Sequence, residues 1–169
     1  MIGKDIWVEK YRPTELDDFI LEEHVYNKIK QFIKKKEIPN LLLFGTAGTG
    51  KTSIMKYLMS KLPVEYIYIN ASEKTSIDVV REEIVTYIMT KSFDSEYKVV
   101  IIDECDGLST QAQASLKVIT EENCTKVKFI FGSNNFGKII PPLVSRCEAF
   151  EIKLPSMEKI VDRCKFILN

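Results

Sequence analysis

The sequence predicts an α/β protein whose parallel β-sheet is covered by helices on both faces. Short β-rich runs alternate along the chain with longer amphipathic segments, which is the pattern of βαβ units. Most of the β-rich runs are continuously apolar, as expected for strands that are buried on both faces. The five predicted strands cover residues 41–44, 65–70, 98–102, 128–132 and 149–152.

Helices are predicted between and around these strands because apolar side chains recur there at helical spacing. In the second helix, Ile54, Leu58 and Leu62 form one apolar stripe. Pro63 follows directly and is typical of a helix end. The five predicted helices cover residues 23–36, 50–62, 76–91, 110–122 and 156–168.

Composition restricts the class of protein. The chain has 169 residues, of which 45% are hydrophobic and 28% charged, as in a single globular domain. Its 24 basic and 24 acidic residues give a net charge of 0, so any DNA binding must be local or shared with partners. Apolar runs fall far short of the ~20 residues that span a bilayer, and the N-terminus lacks a signal-peptide pattern. We therefore expect no membrane partner and a cytoplasmic protein, or one made inside a host cell.

The strongest local signal is a phosphate-binding loop that matches G-x-x-x-x-G-K-[ST]. It follows an apolar strand and opens an amphipathic helix, the context in which backbone N–H groups and the helix N-terminus bind phosphate. Lys51 is expected to reach the β- and γ-phosphates of a nucleotide, and the Thr52 hydroxyl to ligate Mg²⁺. The candidate nucleotide-binding residues of this segment are Gly45, Thr46, Ala47, Gly48, Thr49, Gly50, Lys51, Thr52 and Ser53.

Two adjacent carboxylates end the strand at residues 98–102. Asp103 is a candidate Mg²⁺ ligand at the carboxyl edge of the sheet, and we expect its strand to neighbour the strand of the loop. Glu104 is the candidate general base for the attacking water. The alternative for Glu104 is that it caps the following turn. Nucleotide binding alone would need only the first carboxylate, so the pair indicates hydrolysis.

Two further segments carry polar groups that suit phosphate chemistry. Asn134 and Asn135 follow the strand at 128–132, where an amide can hydrogen-bond a γ-phosphate or a water without adding charge. Asn pairs are also ordinary turn formers. Arg146 follows a Pro-Pro segment and can bind phosphate through two N–H groups, although an isolated Arg is usually a surface residue.

Together, these motifs resemble the AAA+ sliding-clamp loaders, the small subunits of replication factor C and their phage counterparts. Residues 9–13 (EKYRP), the loop at 45–52, residues 103–106 (DECD) and residues 145–147 (SRC) carry the resemblance in that order. Residues 7–13, 77–81 and 92–94 most resemble the large subunit of T-even-type phage loaders. The resemblance runs from about residue 5 to the C-terminus and implies a P-loop NTPase fold of the AAA+ type.

The resemblance also implies roles for further residues. Asn134, rather than Asn135, takes the family's polar sensor position, and Arg146 matches the arginine finger that completes a neighbouring subunit's ATP site. Hydrolysis is then expected to depend on assembly. Adenine and ribose would contact Val8, Glu9, Lys10, Tyr11 and Ile20. Candidate DNA contacts, each of which could equally be an ordinary surface cation, are Lys74, Arg81 and Lys117.

The resemblance predicts a clamp-loader module that uses ATP and Mg²⁺ to open a ring clamp and place it on primer–template DNA. Its expected partners are the other subunits of a hetero-pentamer, the sliding clamp and DNA. Residues 1–154 would form the ATPase domain and residues 155–169 the first helix of a truncated lid. A fragment, a split subunit or a domain without loader activity would each fit that length. A nucleotide-binding module without turnover and another AAA+ machine on DNA, such as a branch-migration motor, are the alternatives.

Overall fold

A computed structural model describes residues 11–72, 77–91, 95, 97–123 and 125–168. The strands are β1 (Leu41–Phe44), β2 (Glu65–Asn70), β3 (Lys98–Asp103), β4 (Val127–Ser133) and β5 (Glu148–Glu151). The helices are α1 (Glu23–Lys35), α2 (Lys51–Lys61), α3 (Ile77–Met89), α4 (Thr110–Glu122), α5 (Pro141–Val144) and α6 (Met157–Leu168). Short 3-10 turns cover Leu16–Asp18, Cys105–Gly107 and Phe136–Lys138.

The five strands form one parallel sheet in the order β2-β3-β4-β1-β5. The predicted fold class is confirmed, and each predicted element lies within two residues of its observed bounds. The short helix α5 is an addition to the prediction. It begins at Pro141, a residue that suits the first helical position because its missing N–H has no intrahelical partner there. None of the helices in the described ranges is long and apolar enough to cross a bilayer.

The sheet separates two apolar layers. Leu43 of β1 packs on one face with side chains of α1 and α2, such as Ile29 and Leu58. Leu42, its neighbour in the strand, packs on the other face with side chains of α3 and α4, such as Ile84. Successive strand residues point to opposite faces, so the inner strand β1, with helices on both sides, is apolar throughout. The edge strands β2 and β5 carry exposed residues as well.

Strand β4 lies between β1 and β3, so the expectation that the Asp103 strand neighbours the strand of the loop is wrong. Asp103 nevertheless reaches the loop and α2, because β4 carries Gly132 beside the Asp103 carboxylate. A Cβ on Gly132 would lie 2.2 Å from Asp103 Oδ1 and 2.5 Å from Met55 Cε. The absent side chain leaves room for the Asp103 carboxylate to extend across the edge of β4 toward α2.

Replacing Gly132 with Ala should therefore destabilise the protein, since the added methyl group needs space that the Asp103 carboxylate occupies. We expect the free energy of unfolding to fall by about 1–3 kcal/mol, the usual cost of overpacking. Gly107→Ala is the matched control, because a Cβ on Gly107 would meet nothing within 4 Å. Urea unfolding of the two variants measures the difference, and equal stabilities would contradict this account of Gly132.

Candidate functional site

A cavity of about 330 Å³ opens at the carboxyl edge of the sheet, beside the first turn of α2. It brings together three segments that are far apart in the sequence: the phosphate-binding loop, the carboxylates after β3 and the first amide after β4. Its lining residues are Ala47, Gly48, Gly50, Lys51, Thr52, Ser53, Asp103, Glu104 and Asn134.

The loop turns sharply before it enters α2. Gly48 and Gly50 adopt left-handed backbone conformations with φ of 81° and 92°, which residues other than glycine rarely adopt. Gly50 is the N-cap of α2, so the helix begins at Lys51 with its first N–H groups at the cavity. Thr49 steadies the turn, because its hydroxyl donates to the Thr46 carbonyl over 3.0 Å.

Lys51 is buried with its ammonium group turned onto the loop itself. Nζ donates to the carbonyl oxygens of Gly45 and Thr46, both at 2.8 Å, and only 6% of the residue is exposed. Burial lowers the pKa of Lys51, and the negative charges of Asp103 and Glu104 partly oppose that shift. Neutral carbonyls therefore hold the ammonium group inside the loop.

Asp103 is the most heavily hydrogen-bonded side chain of the cavity. Its Oδ2 accepts from the Thr52 hydroxyl at 2.6 Å and from the Tyr68 hydroxyl at 2.8 Å. Its Oδ1 accepts from the Glu104 backbone N–H at 3.0 Å. Burial, together with the hydrogen bond to Asp103, raises the pKa of Tyr68, so its phenol keeps the proton that it donates. Thr52 and Asp103, the two candidate Mg²⁺ ligands, are thus in direct contact.

Glu104 has an unusual backbone for its residue type. Its φ of 55° and ψ of 36° lie in the left-handed region, which is strained for a residue with a long side chain. The side chain makes no capping hydrogen bond to the 3-10 turn that follows, which argues against the capping alternative. Within the described residues its carboxylate has no hydrogen-bond partner, and it lines the cavity.

The two asparagines after β4 have different surroundings. The Asn135 side chain accepts from the Gly137 backbone N–H at 3.0 Å and caps a 3-10 turn. Asn134 lines the cavity, and its backbone N–H donates to Asp106 Oδ1 at 2.9 Å. Asn134 is therefore the amide at the cavity, and Asp106 ties it to the turn after β3.

Arg146 lies outside this cavity. It follows α5, and its guanidinium group forms an ion pair with Glu121 on α4 and donates to the Pro142 carbonyl. Lys117, one turn before Glu121, lies 3.9 Å from the same carboxylate. One acidic side chain thus faces both the candidate finger and a candidate DNA contact.

The remaining predicted residues are dispersed. Ile20 lines a separate cavity of about 370 Å³ with residues that precede α6, such as Leu154. Tyr11 is half-buried, and Arg81 is exposed on α3. The residues that lie outside the described ranges are Val8, Glu9, Lys10 and Lys74.

Two residues at the site escape motif-based prediction. Gly132 carries a weak signal, because a glycine inside a strand often marks the close approach of another group. Tyr68 belongs to no motif, and only the pairing of β2 with β3 brings its hydroxyl to Asp103.

The chain is similar in sequence to known proteins over nearly its whole length. The family model for ATPases associated with various cellular activities (AAA) matches residues 41–155. The replication factor C small subunit of Aeropyrum pernix is 34% identical over 168 residues, which cover 96% of this chain and 52% of that protein. The probable replication factor C subunit 5 of Caenorhabditis elegans is 33% identical over 179 residues, with 96% and 49% covered. The chain spans about half the length of these curated relatives.

Solved structures of similar shape include the RuvB Holliday junction branch migration motor of Thermotoga maritima. It superposes with a TM-score of 0.68 and 19% identity over 94% of this chain and 55% of that one. The R170A variant of the same protein gives a TM-score of 0.72 at 21% identity, with the same shares covered. At such identities the likeness establishes the fold alone. The family match, in contrast, covers more than half of the chain and includes the loop, both carboxylates and Asn134, so this chain belongs to the AAA family of ATPases.

Proposed function

We propose that this chain is the ATPase part of a sliding-clamp loader subunit of the replication factor C type. It binds ATP with Mg²⁺ and couples hydrolysis to opening a ring clamp and placing it on primer–template DNA. The cavity shared by the phosphate-binding loop, Asp103, Glu104 and Asn134 carries the proposal. The similarity to replication factor C small subunits supports the choice of machine. The likeness to phage loaders stays a prediction.

The phosphates bind in the loop. The N–H groups at the start of α2 and the positive end of its dipole face the cavity, where anionic oxygens are favoured. The Lys51 ammonium group exchanges its two carbonyl partners for β- and γ-phosphate oxygens, which are stronger acceptors because they are charged. The held position of Lys51 thus keeps a cation ready at the phosphate site.

The metal-binding residues are Thr52 and Asp103. A hydroxyl and a carboxylate in contact beside a phosphate cavity are hard oxygen donors, and Mg²⁺ favours few protein oxygens together with phosphate and water. When bound, Mg²⁺ neutralises charge on the β- and γ-phosphate oxygens. The donor set of this chain fits that ion.

Hydrolysis uses Glu104 and Asn134. The Glu104 carboxylate lines the cavity without a hydrogen-bond partner among the described residues, so it is available to orient a water and accept its proton. Asn134 donates from its amide to the γ-phosphate or to that water. The backbone is held at both residues, since the Glu104 N–H donates to Asp103 and the Asn134 N–H donates to Asp106.

Arg146 acts on the ATP of a neighbouring subunit. Its position outside its own chain's cavity and its surface ion pair with Glu121 support action in trans. Because an arginine finger contributes ~10³- to 10⁵-fold to turnover, a single chain should hydrolyse ATP very slowly.

The remaining contacts follow the clamp-loader assignment. The segment at residues 155–169, which contains α6, belongs to a lid that follows an ATPase domain at residues 1–154. DNA phosphates are contacted by surface cations of several subunits, which reconciles DNA binding with zero net charge. In this chain, the proposed DNA contacts are Lys74, Arg81 and Lys117, and the proposed base and ribose contacts are Val8, Glu9, Lys10, Tyr11 and Ile20.

Lys51→Ala should weaken ATP binding, because the phosphates lose a charged donor in a buried site. We expect the dissociation constant to rise about 10- to 100-fold, the equivalent of one strong charge-assisted hydrogen bond. Titration calorimetry of the folded variants with Mg-ATP measures this. Lys61→Ala, at the exposed end of the same helix, is the control and should bind normally. Unchanged affinity in Lys51→Ala would refute the phosphate site.

Glu104→Gln should keep ATP binding and lose turnover, since the amide preserves the shape of the side chain but accepts no proton. The rate of phosphate release in the assembled loader is expected to fall by about 10²- to 10⁴-fold, the usual contribution of a general base. The exposed Glu122→Gln, which removes one charge from α4, is the control. Undiminished hydrolysis in Glu104→Gln would reject Glu104 as the base.

Complementation between two inactive variants tests the site of action of Arg146. In Glu104→Gln the chain's own ATP site is inactive and the finger intact, whereas Arg146→Ala has the opposite defect. If the finger acts in trans, assemblies that contain both variants regain phosphate release, because an intact finger reaches an intact site. Arg163→Ala, another surface ion-pair residue, is the control and should be active alone. A mixture as inactive as its two components would exclude action in trans.

A further inference from the structure

We propose that Tyr68 is a positioning residue for the metal site: its hydroxyl fixes the Asp103 carboxylate so that Oδ2 stays beside the Thr52 hydroxyl. The inference rests on the proposed binding of Mg-ATP in the cavity and adds a residue from outside the nucleotide-binding motifs. Tyr68 lies on β2, one of the two edge strands of the sheet, and reaches Asp103 on the neighbouring strand β3.

The strand register explains the contact. Tyr68 pairs with Ile101, and side chains of paired residues and of residues two apart in a strand point to the same face. Asp103, two residues beyond Ile101, therefore shares a face with Tyr68 at a diagonal distance that a long phenol can span. Tyr66 also shares this face but pairs with Val99, about 7 Å farther back along the strand. The sheet thus supplies two exposed tyrosines, of which one reaches the carboxylate.

The environment of Asp103 makes this hydroxyl important. Only 4% of Asp103 is exposed, and among the described residues its three hydrogen-bond donors are neutral groups. The lysine of the loop, Lys51, donates from its ammonium group to the carbonyls of Gly45 and Thr46. Without the phenol, Oδ2 keeps Thr52 as its sole donor among the described residues, so one hydrogen bond instead of two holds this oxygen against rotation of the carboxylate.

Rotation of the carboxylate would weaken the metal site in particular. Oδ1 accepts from the Glu104 N–H and lies 2.2 Å from the position that a Gly132 Cβ would take, whereas Oδ2 accepts from Thr52. Groups that orient a metal-binding carboxylate usually contribute 10- to 100-fold to metal affinity, about the range expected here. The ring itself is steadied by Lys56, whose ammonium group lies 5.7 Å from its centroid.

Tyr68→Phe removes the hydroxyl and keeps the ring, and Tyr66→Phe makes the same change on the same face of the same strand. The experiment uses the full chain and a fluorescent ATP analogue, titrated with Mg²⁺ and, separately, in EDTA. We expect the Mg²⁺ concentration for half-maximal nucleotide binding to rise about tenfold in Tyr68→Phe and to be unchanged in Tyr66→Phe. Binding in EDTA and thermal unfolding without metal should be the same in both variants.

The outcomes separate this inference from the proposed function. The role of Tyr68 alone would be overturned if nucleotide binding by the wild-type chain depends on Mg²⁺ but Tyr68→Phe and Tyr66→Phe need the same Mg²⁺ concentration for half-maximal binding. A Tyr68→Phe variant that loses nucleotide affinity equally in EDTA, or unfolds earlier than Tyr66→Phe, would replace positioning by a general structural role. A wild-type chain that binds no nucleotide would overturn the proposed function and this inference with it.

Discussion

The hydrogen bond from Thr52 to Asp103 holds the site together. It joins the first turn of α2 to the end of β3 over 2.6 Å, although β4 separates β3 from the strand that leads into the loop. Lys51 precedes Thr52 in the chain and Glu104 follows Asp103, so this contact links the loop that carries the lysine to the pair of carboxylates. A glycine on β4 makes the approach possible. The apolar layers on both faces of the sheet then keep the strand ends at that spacing.

Sequence predicts the elements well because the inner strands β1, β3 and β4 are largely apolar runs and the longer helices carry apolar residues at helical spacing. Strand order is harder to predict, since a helical crossover can return the chain to either a neighbouring or a more distant position in the sheet. For that reason Asp103 is correctly assigned to the loop's edge of the sheet but not to the correct strand neighbour. The contact between Tyr68 and Asp103 depends on the register of β2 against β3, which the sequence does not specify. Helix α5 has only four residues, too few to show a helical period. The loop, Asp103, Glu104 and Asn134 could be predicted to lie together because the motif fixes residue types and spacing at the ends of parallel strands.

Charge is distributed in a way that the net value of 0 conceals. At the cavity, the Asp103 carboxylate accepts from neutral donors and the Lys51 ammonium group donates to neutral carbonyls, so neither charge is taken up by an ion pair among the described residues. On the surface, by contrast, Arg146 is paired with Glu121, and Lys117 lies near the same carboxylate. If the Arg146 guanidinium group moved to another subunit's phosphate, Glu121 would still have Lys117 as an ion-pair partner. Surface pairs of this type contribute little to stability, so their exchange is easy.

The left-handed backbone of Glu104 affects which substitutions at this position would stabilise the domain. Glycine or asparagine adopts that conformation more readily than glutamate, so either substitution would relieve about 1 kcal/mol of strain. Selection for thermostability alone would thus favour variants that have lost the carboxylate. Engineering of a heat-resistant form should hold this position constant and seek its gains in the helices, far from the carboxyl edge of the sheet.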